Sequence, residues 1–346
     1  MSALPPSPAD PTAPKPARPA ATIHEVARLA GVAIITVSRS FTQPGKLSPG
    51  TLSKVREAVA RTGYVPNRAA GTLRLARSGF VAVLVPTLKG QNFSGLIEGL
   101  TTTLAEHGHQ VLIGEVGYSG PREDDLLRSV IGRRPDGIVI TGVMHSAEGR
   151  ALLAQSGIPV VETWDVTPTP VDMLVGASHE AIGYAACTYL ARRGRRRLAH
   201  VGGDDERAAR RARSFVQAAS HFGLEAPVLH TVRSPSTHAD GRLALGELLA
   251  RRPDIDAICC GSDPLAMGVM TEARVRGLAV PDRLAVMGSG DSEYAATHVP
   301  SLTSIRIDGL QAGRIAARLV LDRLQGVPIE HKVVDLGFEI VERESA

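Results

Sequence analysis

A chain of 346 residues exceeds one average domain and can bury at least one large core. It has no apolar run of the roughly 18 residues that would span a membrane. Its three cysteines (Cys187, Cys259, Cys260) are odd in number and lack a CxxC pair, which argues against a disulfide framework or a cysteine metal site and suits a reducing cytoplasm. Residues 1–79 hold eleven Lys/Arg against three Asp/Glu, a net of +8, while the remainder nets −4 and the whole chain +4; a basic end on a mildly acidic body is the footprint of a nucleic-acid binder.

Residues 1–20, rich in Pro and Ala, read as a disordered tail. They lack the apolar h-region of a signal peptide, which counts against an exported sugar-binding protein. From Thr22 to Phe41 the pattern is two short helices joined by a tight turn. Ile23, Val26, Ala27 and Ala30 recur at helical spacing, and Thr22 with Glu25 three residues on makes a capping box. Gly31 breaks the first helix. The second has Val37 and Phe41 on its inner face. This is a helix-turn-helix whose second helix has the size to enter a DNA major groove; an ordinary helical hairpin is the alternative. After a loop at Pro44 and Gly45, Ser48 caps a third helix that carries Pro49 in its first turn and Leu52, Val55, Ala58 and Val59 as its apolar face, and that stops at Gly63. Residues 21–66 therefore form a three-helix headpiece.

The run TIHEVARLAGV followed by TVSR resembles the opening of the lac/gal repressor family of bacterial transcription regulators. Thr22, Ile23, Val26, Ala27, Ala30, Gly31, Val32, Thr36, Val37, Ser38 and Arg39 match its pattern. The resemblance implies operator DNA bound by a homodimer, and a core that binds a small sugar or purine. It carries DNA contacts to Thr22, Ile34, Ile35, Thr36, Ser38 and Arg39. The spacing of Ile35, Ser38 and Arg39 puts them on one face, whereas Ile34, three before Val37, is expected to be partly buried. Ala33 departs from the family's serine, whose hydroxyl holds a DNA phosphate. Residues 67–79 match the family's hinge, which implies a short helix in the minor groove with Asn67, Ala70 and the wedge Leu73 against DNA; a linker with an exposed leucine is the alternative. Gly71 lowers the helix propensity there by ~1 kcal/mol relative to alanine.

From residue 80 to 346 strand-like runs alternate with helical stretches. The runs are 81–86, 109–116, 137–141 and 158–163, then 198–203, 226–232, 256–262 and 284–290. Helical stretches include Leu96 to His107 and Asp124 to Arg133. Runs apolar on both faces and alternating with helices predict an α/β core of two doubly wound lobes, like a periplasmic binding protein, with the ligand in the cleft between them. Residues 332–341 are expected as one final strand.

Enzyme motifs are missing: there is no GxGxxG after a strand, no GxxxxGK[ST], no GxSxG and no zincin histidine pair. No catalytic residue, metal or cofactor is expected. Residues 202–215 follow a strand and open a helix. The family places an effector-binding arginine four residues before an aromatic there, which is Arg211 before Phe215. The DER at Asp205, Glu206 and Arg207 resembles the gluconate-operon repressor branch, as do VLVPTLKGQNF, IPVVETWD and VVDLGF. Arg207 and Arg211 share a helix face and suit a carboxylate; a solvated surface is the alternative. Asn92, Phe93, Trp164 and Ser262 (beside Asp263) are further cleft candidates by position, although Trp164 could equally be core. Neutral-sugar members carry an aspartate where Gly290 stands, with Asp291 next to it. The whole describes a dimeric, cytoplasmic repressor with operator DNA and a sugar acid, gluconate or a relative, as partners, and with no membrane contact. A neutral-sugar or corepressor-dependent regulator is the nearest alternative, and a cytoplasmic sugar-binding module or enzyme the alternative from another class.

Overall fold

The computed structural model describes residues 21–65, 78–89, 93–118, 122–144 and 146–346. The chain divides into two compact units, 1–76 and 77–346. In the first, α1 (Ile23–Ala30), α2 (Ile34–Thr42) and α3 (Pro49–Thr62) surround a core of Val26, Ala27, Ala30, Val37, Val55 and Ala58. Local chemistry sets the helix ends. Thr22 Oγ1 accepts from the Glu25 amide at 3.3 Å, and Ser48 Oγ accepts from the Thr51 amide at 3.2 Å. Gly31 and Gly63 end α1 and α3 in the left-handed region. Ala33 caps α2 with no side-chain bond. The expectation for Phe41 is corrected: it is 41% exposed and tilts its ring against Tyr64 at 6.2 Å. Six small side chains form the buried core and Ile23, Val32, Val59 and Tyr64 pack against it, which leaves the Phe41 ring outside.

The second unit holds two lobes. Lobe 1 has β1 (Phe80–Val85), β2 (Gln110–Glu115), β3 (Gly137–Thr141), β4 (Val160–Thr163), β5 (Met173–Gly176) and β11 (Val333–Asp335), with α4 (Ser94–Glu106), α5 (Arg122–Gly132), α6 (Ala147–Ser156) and α12 (Gly309–Gln325). Its sheet runs β11-β5-β4-β3-β1-β2, with every pairing parallel. Lobe 2 has β6 (Leu198–Gly203), β7 (Val228–Val232), β8 (Ala257–Cys260), β9 (Ala285–Ser289), β10 (Thr303–Arg306) and β12 (Glu339–Val341). Its helices are α7 (His179–Arg192), α8 (Glu206–His221), α9 (His238–Arg251), α10 (Asp263–Val275) and α11 (Glu293–Thr297). Here the order is β12-β10-β9-β8-β6-β7, parallel except for β10 with β12. Both are doubly wound sheets, so ligand chemistry belongs at the carboxyl ends of their strands.

The chain passes between lobes three times: from β5 to α7, from β10 to α12, and from β11 to β12. The last crossing overturns the expectation of one strand over 332–341. Gly337 adopts φ 63°, and the Leu336 amide donates to the Gly176 carbonyl at 2.8 Å, so the run breaks and each half joins a different sheet. Two sheets cannot share one straight edge strand. The short strands β5 and β10 were not predicted. Four residues are too few to show periodicity against the flanking loop. At the entry to lobe 1 the Asp136 carboxylate accepts from the Ser78 and Gly79 amides, each at 2.7 Å, and lies 3.3 Å from His109 Nε2. No helix among the described residues is long and apolar enough to cross a membrane.

Candidate functional site

A cavity of about 840 Å³ lies between the lobes, walled by strand ends and by the three crossing segments. Its charged end is built on α8. Asp205, just beyond β6, caps that helix by accepting from the Ala208 amide at 3.1 Å. In its first turn, and again one turn later, α8 turns Arg207 and Arg211 to the cavity. Arg210, between them in sequence, faces elsewhere: its guanidinium pairs with Asp165 and, at 3.4 Å, with Glu180. Arg207 Nε stands 3.7 Å from Asp205 Oδ1. Arg207 Nη1 and Arg211 Nε are buried and have no hydrogen-bond partner among the described residues.

Electrostatics follow from this crowding. Burial, with the like charge of Arg207, pulls Arg211 below the ordinary guanidinium range against the opposing effect of Asp205. Burial works against ionised Asp205, yet Arg207, Arg211, the Ala208 amide and the Ser234 hydroxyl together hold its carboxyl below the usual carboxylate range. Tyr118 closes the same end from lobe 1, and burial raises its hydroxyl above the usual range while Arg207 opposes the rise. Both guanidinium charges act on the Asp205 carboxylate, and Arg207 is the one within ion-pair distance of it.

The rest of the wall is aromatic and hydroxylic. Trp164 sits after β4 with φ 70°, a left-handed backbone that costs a bulky residue roughly 1–3 kcal/mol. Three contacts hold it there. Its amide donates to the Val175 carbonyl at 3.1 Å, its carbonyl accepts from His179 Nε2 at 2.9 Å, and its ring meets Phe93 edge-on at 5.5 Å. A Cβ on Gly309 would stand 3.0 Å from that ring, so glycine lets α12 start against the indole. Ser262 caps α10 and lies 3.0 Å from Ser236 Oγ. Asp263 beside it turns inward, accepting from the Ser292 amide and the Ser304 hydroxyl, each at 2.6 Å. Ser289, Gly290 and Asp291 reach the cavity, but the Asp291 carboxylate is held by Arg343 at 2.7 Å and Arg306 at 3.3 Å. It therefore supplies no free charge where Gly290 lacks one.

In the first unit, α2 leaves Ile34 42% and Ile35 47% exposed, with Thr22 and Arg39 also exposed and Thr36 and Ser38 half-buried. The expected partial burial of Ile34 is corrected, since Val37 alone fills the space under α2. An apolar pair and an arginine on one short helix, with nothing packed over them among the residues of that unit, form a surface suited to base edges.

A model of bacterial regulatory proteins, lacI family, matches residues 22–67, and one of the periplasmic binding protein-like domain matches residues 187–346. The HTH-type transcriptional regulator GntR of Pseudomonas aeruginosa is 37% identical over 94% of this chain and 95% of its own length. Among solved structures, a lacI-family transcriptional regulator from Silicibacter pomeroyi superposes with a TM-score of 0.88 at 29% identity, covering 94% of this chain and 99% of the other. The transcription regulator GntR from Chromobacterium violaceum gives 0.74 at 34% identity, covering 77% of this chain and 98% of the other. The chain belongs to the lacI family of bacterial regulatory proteins. It is a DNA-binding transcriptional repressor and not an enzyme.

For this regulator the structure brings Phe93, Trp164, Arg207, Arg211 and Ser262 to one cavity. Asn92, Asn67, Ala70 and Leu73 lie outside the described residues. Sequence reasoning missed His179, Tyr118 and Ser236 as lining residues. His179 opens α7 just after β5, so its position became legible only once that four-residue strand was recognised. Ser236 carries no motif and reaches Ser262 from the loop before α9.

Proposed function

We propose that this repressor takes a sugar acid, gluconate or a close relative, as its effector, and that binding releases the operator. The observation that carries the reading is the pair of guanidiniums at one end of the cavity, Arg207 and Arg211, which both feel the Asp205 charge and keep buried, unpartnered N–H groups. A buried cation without its full set of partners is costly, and a ligand carboxylate supplies bidentate acceptors. The Asp291 carboxylate is neutralised by Arg306 and Arg343, so it does not repel an anion. The Phe93–Trp164 wall and the Ser236–Ser262 hydroxyls suit a polyhydroxy chain. The GntR name of the relatives suggests gluconate.

The protein acts as a dimer on a pseudo-palindromic operator, one headpiece to each half-site. Ligand closes the lobes and shifts the two hinges relative to one another. Couplings of this kind are typically ~1–3 kcal/mol, enough for a switch of about 5- to 150-fold. Titrating the full-length protein on operator DNA with gluconate, glucose and purine bases tests this. Release by gluconate at the lowest concentration is the expected result. Release by glucose at equal or lower concentration removes the sugar-acid assignment, and tightening by any ligand reverses the sign of the switch.

A further inference from the structure

The His179 imidazole is 2% exposed and stands between two groups of fixed hydrogen-bonding character. The Trp164 carbonyl oxygen, 2.9 Å from Nε2, can only accept, so Nε2 carries the proton. Arg211 Nη1, 2.9 Å from Nδ1, can only donate, so Nδ1 is the bare acceptor. One neutral tautomer satisfies both bonds, whereas an imidazolium would set N–H against N–H. The charges that act on the ring are those of Arg211, which touches it, then Arg207 and, least, Arg210, all on α8. Burial first, then Arg211 and Arg207, hold His179 well below the ordinary histidine range, in agreement with the geometry.

We propose that His179 is a positioning residue of the effector site: it orients the Arg211 guanidinium for the ligand carboxylate and, through the Trp164 carbonyl, ties that cation to lobe 1. The proposal rests on the sugar-acid reading of the cavity. With Nη1 spent on His179, Arg211 keeps its Nε–Nη2 fork for a carboxylate. Trp164 belongs to lobe 1, and Arg211 and His179 belong to lobe 2. A ligand that loads Arg211 therefore pulls, through two hydrogen bonds, on the backbone of the opposite lobe. Trp164 is itself held in a left-handed conformation at the cavity wall, so the connection ends on a residue whose backbone has little freedom to absorb the movement.

Two replacements divide the imidazole. His179→Asn keeps an acceptor where Nδ1 stands and loses the reach to Trp164. His179→Gln keeps a donor within reach of the Trp164 carbonyl and loses the acceptor for Arg211. Full-length parent and variants are titrated calorimetrically with gluconate and with uncharged glucitol, and the melting temperature of each is measured. The Gln variant is expected to lose gluconate affinity by at least about tenfold, the worth of one charge-assisted hydrogen bond. The Asn variant recovers most of that loss but releases operator less completely at saturating gluconate, and glucitol binding is the same in all three. Equal losses in both variants and for both ligands, tracking the melting temperature, overturn the proposal. A ligand-free check uses ¹⁵N-histidine spectra, with His179 assigned by its absence from the Asn variant. Nε2 is expected protonated, and Nδ1 is expected bare and displaced by Arg211→Gln. A protonated Nδ1, or one indifferent to Arg211→Gln, overturns the proposal whatever the ligand. If the parent binds gluconate and glucitol equally, the sugar-acid reading fails and these spectra alone decide the role of His179.

Discussion

Asp165 of lobe 1 and Arg210 of lobe 2 join the two lobes in a buried ion pair beside the first crossing. The Asp165 carboxyl is fully buried and its Oδ1 also accepts from the Val166 amide at 2.8 Å. Burial raises its affinity for a proton above the usual, while Arg210 opposes the rise. Gly176 lies directly beneath Asp165 and has no room for a Cβ. The pair is therefore fixed from both sides, at the root of the segment that leads into α7.

Removing the Asp165 charge should leave Arg210 with only the exposed Glu180, 3.4 Å away. Asp165→Asn is expected to cost roughly 3 kcal/mol, the low end for a broken buried pair because Glu180 remains. Urea denaturation measures it. Adding Arg210→Met to that variant should recover much of the loss, and no recovery would mean that Asp165 acts through the Val166 amide instead.

On α2, Arg39 is free to give two hydrogen bonds to a guanine, while Ile34 and Ile35 present only methyl groups. Arg39→Ala is expected to weaken specific operator binding by ~1–3 kcal/mol and to relax one base position. Replacing thymine by uracil opposite Ile35 should weaken the parent and leave an Ile35→Ala variant indifferent. Competition binding on single-base operator variants reads both effects.

Arg211→Ala should give a repressor that binds operator and ignores sugar acid, because the remaining Arg207 is already partly satisfied by Asp205. Arg211→Lys should rescue poorly: an ammonium cannot hold His179 and a carboxylate in the planar geometry of a guanidinium. Operator release followed by fluorescence anisotropy gives the answer, and full induction of either variant would remove Arg211 from the ligand contacts.

His200 lies on β6 under Arg211, its ring against Phe215 at 5.5 Å. Burial, then the Arg211 charge, pushes it down to about 3. The unfolded chain takes up this proton near the ordinary value of about 6.5, while the native state refuses it. Stability is therefore flat above about pH 6.5 and falls as pH drops below it, by up to ~1.4 kcal/mol per pH unit for one such group. His179 acts in the same direction. Melting temperatures between pH 7.5 and 5 should fall less steeply for His200→Leu than for the parent, and parallel slopes would mean that His200 is accessible to protons in the native state.

Much of the local structure was legible because it rests on short-range chemistry. Thr22, Ser48, Gly31 and Gly63 mark helix ends through hydrogen bonds and backbone freedom that need no distant partner. Long β-branched runs such as 137–141 announce a strand buried on both faces. Helix α4 begins two residues before its expected start at Leu96; Ser94 and Gly95 show no apolar period, and Gly95 is tolerated because α12 presses against it.

What the sequence by itself determined is the α/β class, the two lobes, the headpiece, and the helix face that puts Arg207 and Arg211 together, since each depends on residues within one or two turns of one another. Only the tertiary structure decided which charges remain for a ligand. Arg207, Arg210 and Arg211 look alike in sequence, and their fates differ because Asp165 and His179 reach Arg210 and Arg211 from other segments, while Arg207 stands beside Asp205, the cap of their own helix. The Asp291 carboxylate looked available until Arg306 at the end of β10 and Arg343 just past β12 closed on it. The final run of apolar residues was divided between two sheets by competition for their edges, a choice made by neighbours up to about 160 residues away. Pairings of this kind depend on which segments the fold brings into contact, and spacing along the chain carries no record of them.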